Sequence, residues 1–292
     1  MERIISTFEE LYLSCKRHNK QIWQLAQERE AEQTGINIEE FRQVVKKSLD
    51  AMKEAIKNGL ESKEMSMSGM CGDDCFRLQQ SYKTVPPLLG KTFERITTYA
   101  LATSEENIRM GKIVACPTAG SCGIVPSVII GVSDELNIEE EQQINALITA
   151  GEAGRIIANK VALAGAVAGC QAECGVASAM SAAALTQLRG GSIEDILNAM
   201  ALAMKNLLGL TCDPVCGLVE IPCVKRNPFL AIHAVTASEL ALAGITSKIP
   251  PDEVIDALEQ TGKLMSPTLK ESSQAGLAKT KTAVDLEKKL LK

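Results

Sequence analysis

From about residue 92 to residue 244 the chain is rich in alanine and glycine and shows almost no two-residue alternation of apolar and polar side chains. Half-buried strands need that alternation, whereas close-packed helices tolerate small residues at their contacts. Helix-start signatures point the same way. Asn37-Ile38-Glu39-Glu40 reads as a capping box opening a helix that runs to Asn58-Gly59. Asn137-Ile138-Glu139-Glu140, Ser192-Ile193-Glu194-Asp195 and Pro250-Pro251-Asp252-Glu253 read as three further starts. The best extended candidates, residues 113–115 and 218–221, are short and weakly patterned. Hydrophobic residues make up 46% of the chain but aromatics only 3%, so the core must be filled by small and aliphatic side chains between helices. The expectation is an all-α fold: a single compact helical domain over residues 1–292, with small-residue-rich buried helices. Within it, residues 1–60 form amphipathic N-terminal helices and residues 61–90 are irregular. The last segment, Val284-Asp285-Leu286-Glu287-Lys288-Lys289-Leu290-Leu291-Lys292, reads as a solvated helix or tail.

Charge and composition exclude several partners. The formal net charge is -5, with no basic run to follow phosphates and few aromatics to stack on bases, so nucleic acid is not expected. The first ten residues, Met1 to Glu10, lack the apolar run of a secretory signal. The most apolar stretch, residues 161–185, carries Gln171 and Glu173 near its middle. Those groups are costly in hydrocarbon, so the stretch reads as a buried helix and no membrane is expected. Ten cysteines without a leader suit the reducing cytoplasm, where thiols ligate metals or are simply buried.

The cysteines lie in distinctive surroundings. One stretch reads Gly169-Cys170-Gln171-Ala172-Glu173-Cys174-Gly175. A second reads Leu210-Thr211-Cys212-Asp213-Pro214-Val215-Cys216-Gly217 and leads to Ile221-Pro222-Cys223. Glycine lets backbone approach a cofactor, and proline stops a helix where ligands must project. Cys170 and Cys174 are four apart, as are Cys212 and Cys216, which on helices puts each pair on one face. Three readings stay open on spacing alone: buried thiols, a four-thiolate zinc site, or an iron–sulfur site.

Other segments also have two readings. Cys116-Pro117-Thr118-Ala119-Gly120-Ser121-Cys122-Gly123 is either a loop aiming backbone N–H groups at an anion or a plain helix-entry turn. Ser68-Gly69-Met70-Cys71-Gly72-Asp73-Asp74-Cys75 is a binding loop or a polar turn. Lys225-Arg226-Asn227-Pro228 could hold a carboxylate, lie near a cofactor, or be a solvated helix start. His18 and His233 lie on helical patterns outside every motif and read as structural.

Taken together, these segments resemble the alpha chain of the iron–sulfur-dependent L-serine dehydratases, from near residue 1 to about residue 280. The resemblance implies a [4Fe-4S] cluster held by Cys170, Cys212 and Cys223, with Cys174 and Cys216 as neighbours. It implies substrate binding by Thr118, Ala119, Gly120 and Ser121 through the carboxylate. Ser68 and Gly69 match a family Ser-Gly-Leu-Thr-Gly-Gly segment, from which Met70, Cys71 and Asp73 depart. Lys225 and Arg226 join the candidate substrate residues. Lys270-Glu271-Ser272-Ser273-Gln274-Ala275-Gly276-Leu277 resembles a C-terminal family segment and receives no chemistry.

The implied reaction is dehydration of L-serine to pyruvate and ammonia, in the cytoplasm and with a separate beta chain as partner. No residue stands out as the general base, and no lysine sits in a recognisable Schiff-base setting. Two other readings remain: a related lyase for another β-substituted amino acid such as cysteine, and a noncatalytic helical protein with zinc or buried thiols.

Overall fold

The structure is a computed structural model that describes residues 5–290. Residues 1–4 of the leader reading and residues 291–292 of the tail lie outside the described residues. Thirteen α-helices make up the described chain, and no strand occurs in it. The N-terminal helices are α1 (Phe8–His18), α2 (Ile22–Thr34) and α3 (Ile38–Glu61). Next come α4 (Asp74–Tyr82), α5 (Gly90–Ile108), α6 (Ile124–Leu136), α7 (Glu140–Ala158) and the short α8 (Gly165–Ala168). The chain ends with α9 (Val176–Leu188), α10 (Ile193–Lys205), α11 (Cys223–Leu242), α12 (Pro251–Leu264) and α13 (Lys281–Leu290).

Helix α9 is the axis of the fold. Every residue from Val176 to Thr186 is buried, and α6, α7, α10 and α11 pack against it. A helix without a polar face can sit only inside a core. Its alanines, among them Ala177, Ala179, Ala182, Ala183 and Ala184, let four neighbours approach at once. Burying a leucine such as Leu185 contributes roughly 1.5–3 kcal/mol. Helix α5 adds a second layer against α3, α6 and α11. At Gly59 a Cβ would lie 2.1 Å from the Ala102 carbonyl oxygen, so only glycine lets α3 and α5 cross in contact.

Three helix starts follow the sequence patterns. Asn37 accepts from the Glu40 amide while Glu40 accepts from the Asn37 amide. Ser192 and Asp195 form the same reciprocal box. Helix α12 begins at Pro251, and its Asp252 carboxylate accepts from the amides of Phe8 and Glu9 at 2.9 and 3.0 Å. One side chain therefore caps a helix far away in sequence.

Two expectations are corrected. Asn137 does not start a helix: it ends α6 in the left-handed conformation, φ 54°, and α7 starts at Glu140 with Glu139 before it. Residues 61–90 are not wholly irregular, because α4 lies within them. Residues 113–115 and 218–221 form coil and turn. One stretch, Ala119–Leu136, is long and apolar enough to cross a membrane, and 72% of it is buried inside the protein. That burial is what a core helix shows.

Candidate active site

The site lies where the chain between α8 and α9 meets the segment before α11. Residues Gln171–Gly175 form a single π-helical turn, a wider coil that often marks functional positions. The fully buried Gln171 fixes this turn. Its side chain donates to the Leu258 carbonyl at 3.0 Å and accepts from the Gly209 amide at 2.9 Å. Gly169 precedes it at φ 76°, where a Cβ would also meet the Leu210 carbonyl oxygen at 2.9 Å. A side chain there is excluded twice, by backbone conformation and by space.

The turn presents Cys170, Glu173 and Cys174 to Cys212. The ligating atoms of Cys170, Glu173 and Cys212 lie within 4.8 Å of one another. Backbone reaches this trio closely: a Cβ on Gly165 would lie 2.8 Å from Cys212 Sγ. Cys223 stands outside the trio, near enough for Cys170 and Glu173 to act on its charge. Cys174 is buried against Cys170. Cys216 does not share a helical face with Cys212: it sits half-buried at φ 58° beside Glu220 and Glu287.

Electrostatics single out one sulfur. Cys170 is the only one of the ten cysteines whose pKa is lowered. Hydrogen bonds from Cys174 and Cys212 favour its thiolate most, burial opposes it, and the Arg226 charge adds further attraction. Arg226 Nη1 lies 3.1 Å from Cys170 Sγ, and its Nη2 donates to Asp213 Oδ1 at 3.0 Å. Cys223 is pushed up to about 12, mainly by burial. Burial, then the Cys170 charge, raises Glu173 to about 7, against hydrogen bonds from Thr118 and the Gly165 amide.

Helix α11 organises the other side. Cys223, Arg226 and Asn227 share one face of its first turn. Asn227 donates to the Gly120 carbonyl and accepts from the Gly123 amide, both at 2.9 Å, and so pins the 118–121 loop. In that loop Ser121 is fully buried, and its hydroxyl donates to the Cys116 carbonyl at 3.0 Å. The amides of Ala119 and Gly120 have no acceptor among the described residues. Ser68 donates to Glu220 at 2.7 Å, and Gly69 takes φ 71°. Lys225 turns away from the thiols and pairs with Asp74 at 2.6 Å.

The C-terminal segment straps the site. Cys212 N–H donates to the Leu269 carbonyl at 2.9 Å, and Glu271 N–H to the Cys212 carbonyl at 2.7 Å. Asp213 Oδ2 accepts from the Leu277 amide at 2.8 Å. At Gly276 a Cβ would fall 2.5 Å from that same oxygen. Glu173, Asn227 and Glu220 carry this geometry, yet the sequence gives them no role. Glu173 lies in a cysteine segment, Asn227 in the 225–228 segment and Glu220 in the 218–221 stretch between two cysteine segments, and that nearness is their only signal.

An all-helical core enclosing a buried thiol and carboxylate centre, beside a small-residue loop with open amides, defines a protein built around a metal-compatible ligand site. The comparisons specify it further: residues 17–278 match the family model for the serine dehydratase alpha chain, and the chain belongs to that family. It is 46% identical over 261 residues to the probable L-serine dehydratase alpha chain of Bacillus subtilis, covering 89% of this chain and 87% of that one. The L-serine dehydratase alpha chain of Peptoniphilus asaccharolyticus is 35% identical over 289 residues, 99% of each chain. An L-serine dehydratase of Helicobacter pylori is 40% identical over 285 residues, covering 94% of this chain but 61% of that protein.

Proposed function

We propose that this chain is the catalytic alpha chain of a cytoplasmic L-serine dehydratase, an iron–sulfur lyase that converts L-serine to pyruvate and ammonia. The observation that carries the reading is the convergence of Cys170 and Cys212 on one buried point, with Arg226 favouring a thiolate at Cys170. Thiolate donors suit iron–sulfur clusters, and at Gly165 an added Cβ would collide with Glu173 and Cys212, so glycine keeps the backbone close to the ligand atoms. Cys170, Cys212 and Cys223 would hold the [4Fe-4S] cluster. The chemistry supplied by a bound cluster is Lewis-acid activation of a hydroxyl leaving group.

The chain's own residues do the rest. The open amides of Ala119 and Gly120 hold the substrate carboxylate, with Thr118 and Ser121 fixing the loop's shape. Asn227 keeps that loop against the helix that carries Cys223. The Ser68-Gly69 turn closes the opposite side, tied down by Glu220. Arg226 and Asp213 hold Cys170 and the C-terminal strap in one arrangement, which limits water near the thiols. Two of the relatives are called alpha chains, which supports a partner beta chain.

The test is anaerobic purification, a visible absorption spectrum, and a serine turnover assay with pyruvate detection in the presence of the beta chain. Brown protein with serine-dependent pyruvate supports the assignment. Colourless protein that binds zinc would exclude it.

A further inference from the structure

Glu220 is a buried carboxylate without a cation. Its Oε2 accepts from the Ser66 hydroxyl at 2.8 Å and from the Ser68 hydroxyl at 2.7 Å. No lysine or arginine among the described residues forms an ion pair with it. Its second oxygen, Oε1, has no partner among the described residues and is not sealed from solvent. An anionic oxygen left open beside a satisfied one is a place where a cationic donor can form a charge-assisted hydrogen bond.

Its position is equally specific. Glu220 lies in the turn before Cys223, and its amide and carbonyl are fixed there by bonds with Leu218 and Val224. The adjacent Val219 packs on the substrate loop: a Cβ on Gly120 would lie 3.3 Å from Val219 Cγ1. The turn therefore sits between the 118–121 loop and the Ser66-Met67-Ser68-Gly69 turn. Most other acidic groups around the site have partners, and Glu271, whose charge reaches Glu173 and Cys212, is exposed. Asp213 serves Arg226 and the Leu277 amide, Asp74 serves Lys225, and Glu105 caps α4. Glu173 faces the thiols.

We propose that Glu220 Oε1 accepts the α-ammonium group of the substrate, making the site selective for zwitterionic α-amino acids over the matching acids. The proposal rests on the serine lyase reading and adds a recognition residue to it. The carboxylate on the 118–121 loop and the ammonium on Glu220 would then be held by two neighbouring segments joined through Val219. Ser66 and Ser68 hold the carboxylate's other oxygen, so its direction is set before substrate arrives.

The test compares L-alanine with propionate, which differ by the ammonium group, by calorimetric binding to the anaerobically reconstituted full chain. The wild type should bind L-alanine at least about tenfold more tightly, the scale of one charge-assisted hydrogen bond. Glu220→Gln keeps the shape and an acceptor for the serines, and should reduce that preference about tenfold. Ser66→Ala loosens the turn but keeps the charge, and should retain the preference. No preference in the wild type, or an unchanged preference in Glu220→Gln, would overturn the proposal. Equal weakening of both ligands in Glu220→Gln would also overturn it, because loop loosening alone predicts that. Absence of serine turnover in the wild type even with the beta chain added would instead strike the lyase reading, while the binding comparison still decides the role of Glu220.

Discussion

Arg226 Nη1 stands 3.1 Å from Cys170 Sγ, and the same guanidinium is held from behind by Asp213. A planar fork with two fixed partners cannot rotate away from the sulfur. Replacing Arg226 with glutamine should move the Cys170 thiolate titration upward in the metal-free chain. The sign follows from charge: loss of a cation disfavours the anionic sulfur. Thiolate ultraviolet absorbance against pH measures it, and an unchanged midpoint would leave Cys174 and Cys212 as the sole cause.

Cluster retention should depend on three cysteines. Cys170→Ser, Cys212→Ser and Cys223→Ser should each lose iron and inorganic sulfide, whereas Cys174→Ser should keep both. Cys223 is the most informative, because it lies outside the 4.8 Å trio. Full iron content in Cys223→Ser would remove it from the ligand set and point to Glu173 as the third donor.

Much of this architecture is visible in the linear chain, and the exceptions share a cause. The starts of α3 and α10 are local reciprocal caps, so Asn37 with Glu40 and Ser192 with Asp195 announce them. Helix α4 has no such signal. Its cap position, Asp73, is left-handed and makes no side-chain cap. Buried Glu105 from α5 accepts instead from the amides of Asp74 and Cys75. A cap supplied from another helix leaves no trace in the neighbouring sequence. The four-residue spacing of the cysteines is equally ambiguous. Cys170 precedes and Cys174 lies within a π turn pinned by Gln171, while Cys216 is left-handed and turned off the site. Pairing through Asn227 and Glu220 is long-range and appears only once α11 is packed.

Gly120→Val should raise the KM for serine at least about tenfold, with the cluster spectrum unchanged. The first added carbon would already lie 3.3 Å from Val219 Cγ1, so Val219 or the loop must give way, and the branched methyls stand beside the open amides that the substrate carboxylate would use. Asn227 bonds the Gly120 carbonyl, so the loop cannot retreat cheaply. Wild-type kinetics in a folded variant would remove the carboxylate assignment.

Glu173 gives a pH prediction for the metal-free chain. Its pKa is raised to about 7, mainly by burial, so the folded state prefers the neutral acid. The group's contribution to stability is complete below the ordinary carboxyl range and is lost as pH rises through about 7. Glu173→Gln should therefore be more stable than the wild type at pH about 8 and lose that advantage near pH about 4. Urea midpoints across that range provide the measurement, and a constant difference would show that Glu173 does not titrate between those limits.

The last prediction concerns a second polypeptide. Relatives called alpha chains match this chain along 87% and 99% of their own length, whereas the Helicobacter pylori relative extends well beyond the matched part. Neither histidine reaches the thiols as a base. His233 Nε2 hydrogen-bonds the Ala203 carbonyl at 3.0 Å, and His18 lies at the end of α1. The surface also exposes a contiguous apolar loop, with Leu88 97% exposed and Val85 and Leu89 both 65% exposed. Exposed apolar runs of this kind are typical of surfaces that meet another protein. A beta chain covering the alpha chain could bring the missing base and shield the thiols from oxygen. The reconstituted chain alone should therefore give little pyruvate from serine, and addition of the beta chain should raise turnover at least about a hundredfold, the scale of a general base. Full activity from this chain alone would refute the requirement and send the search for the base back to its own carboxylates, Glu173 first.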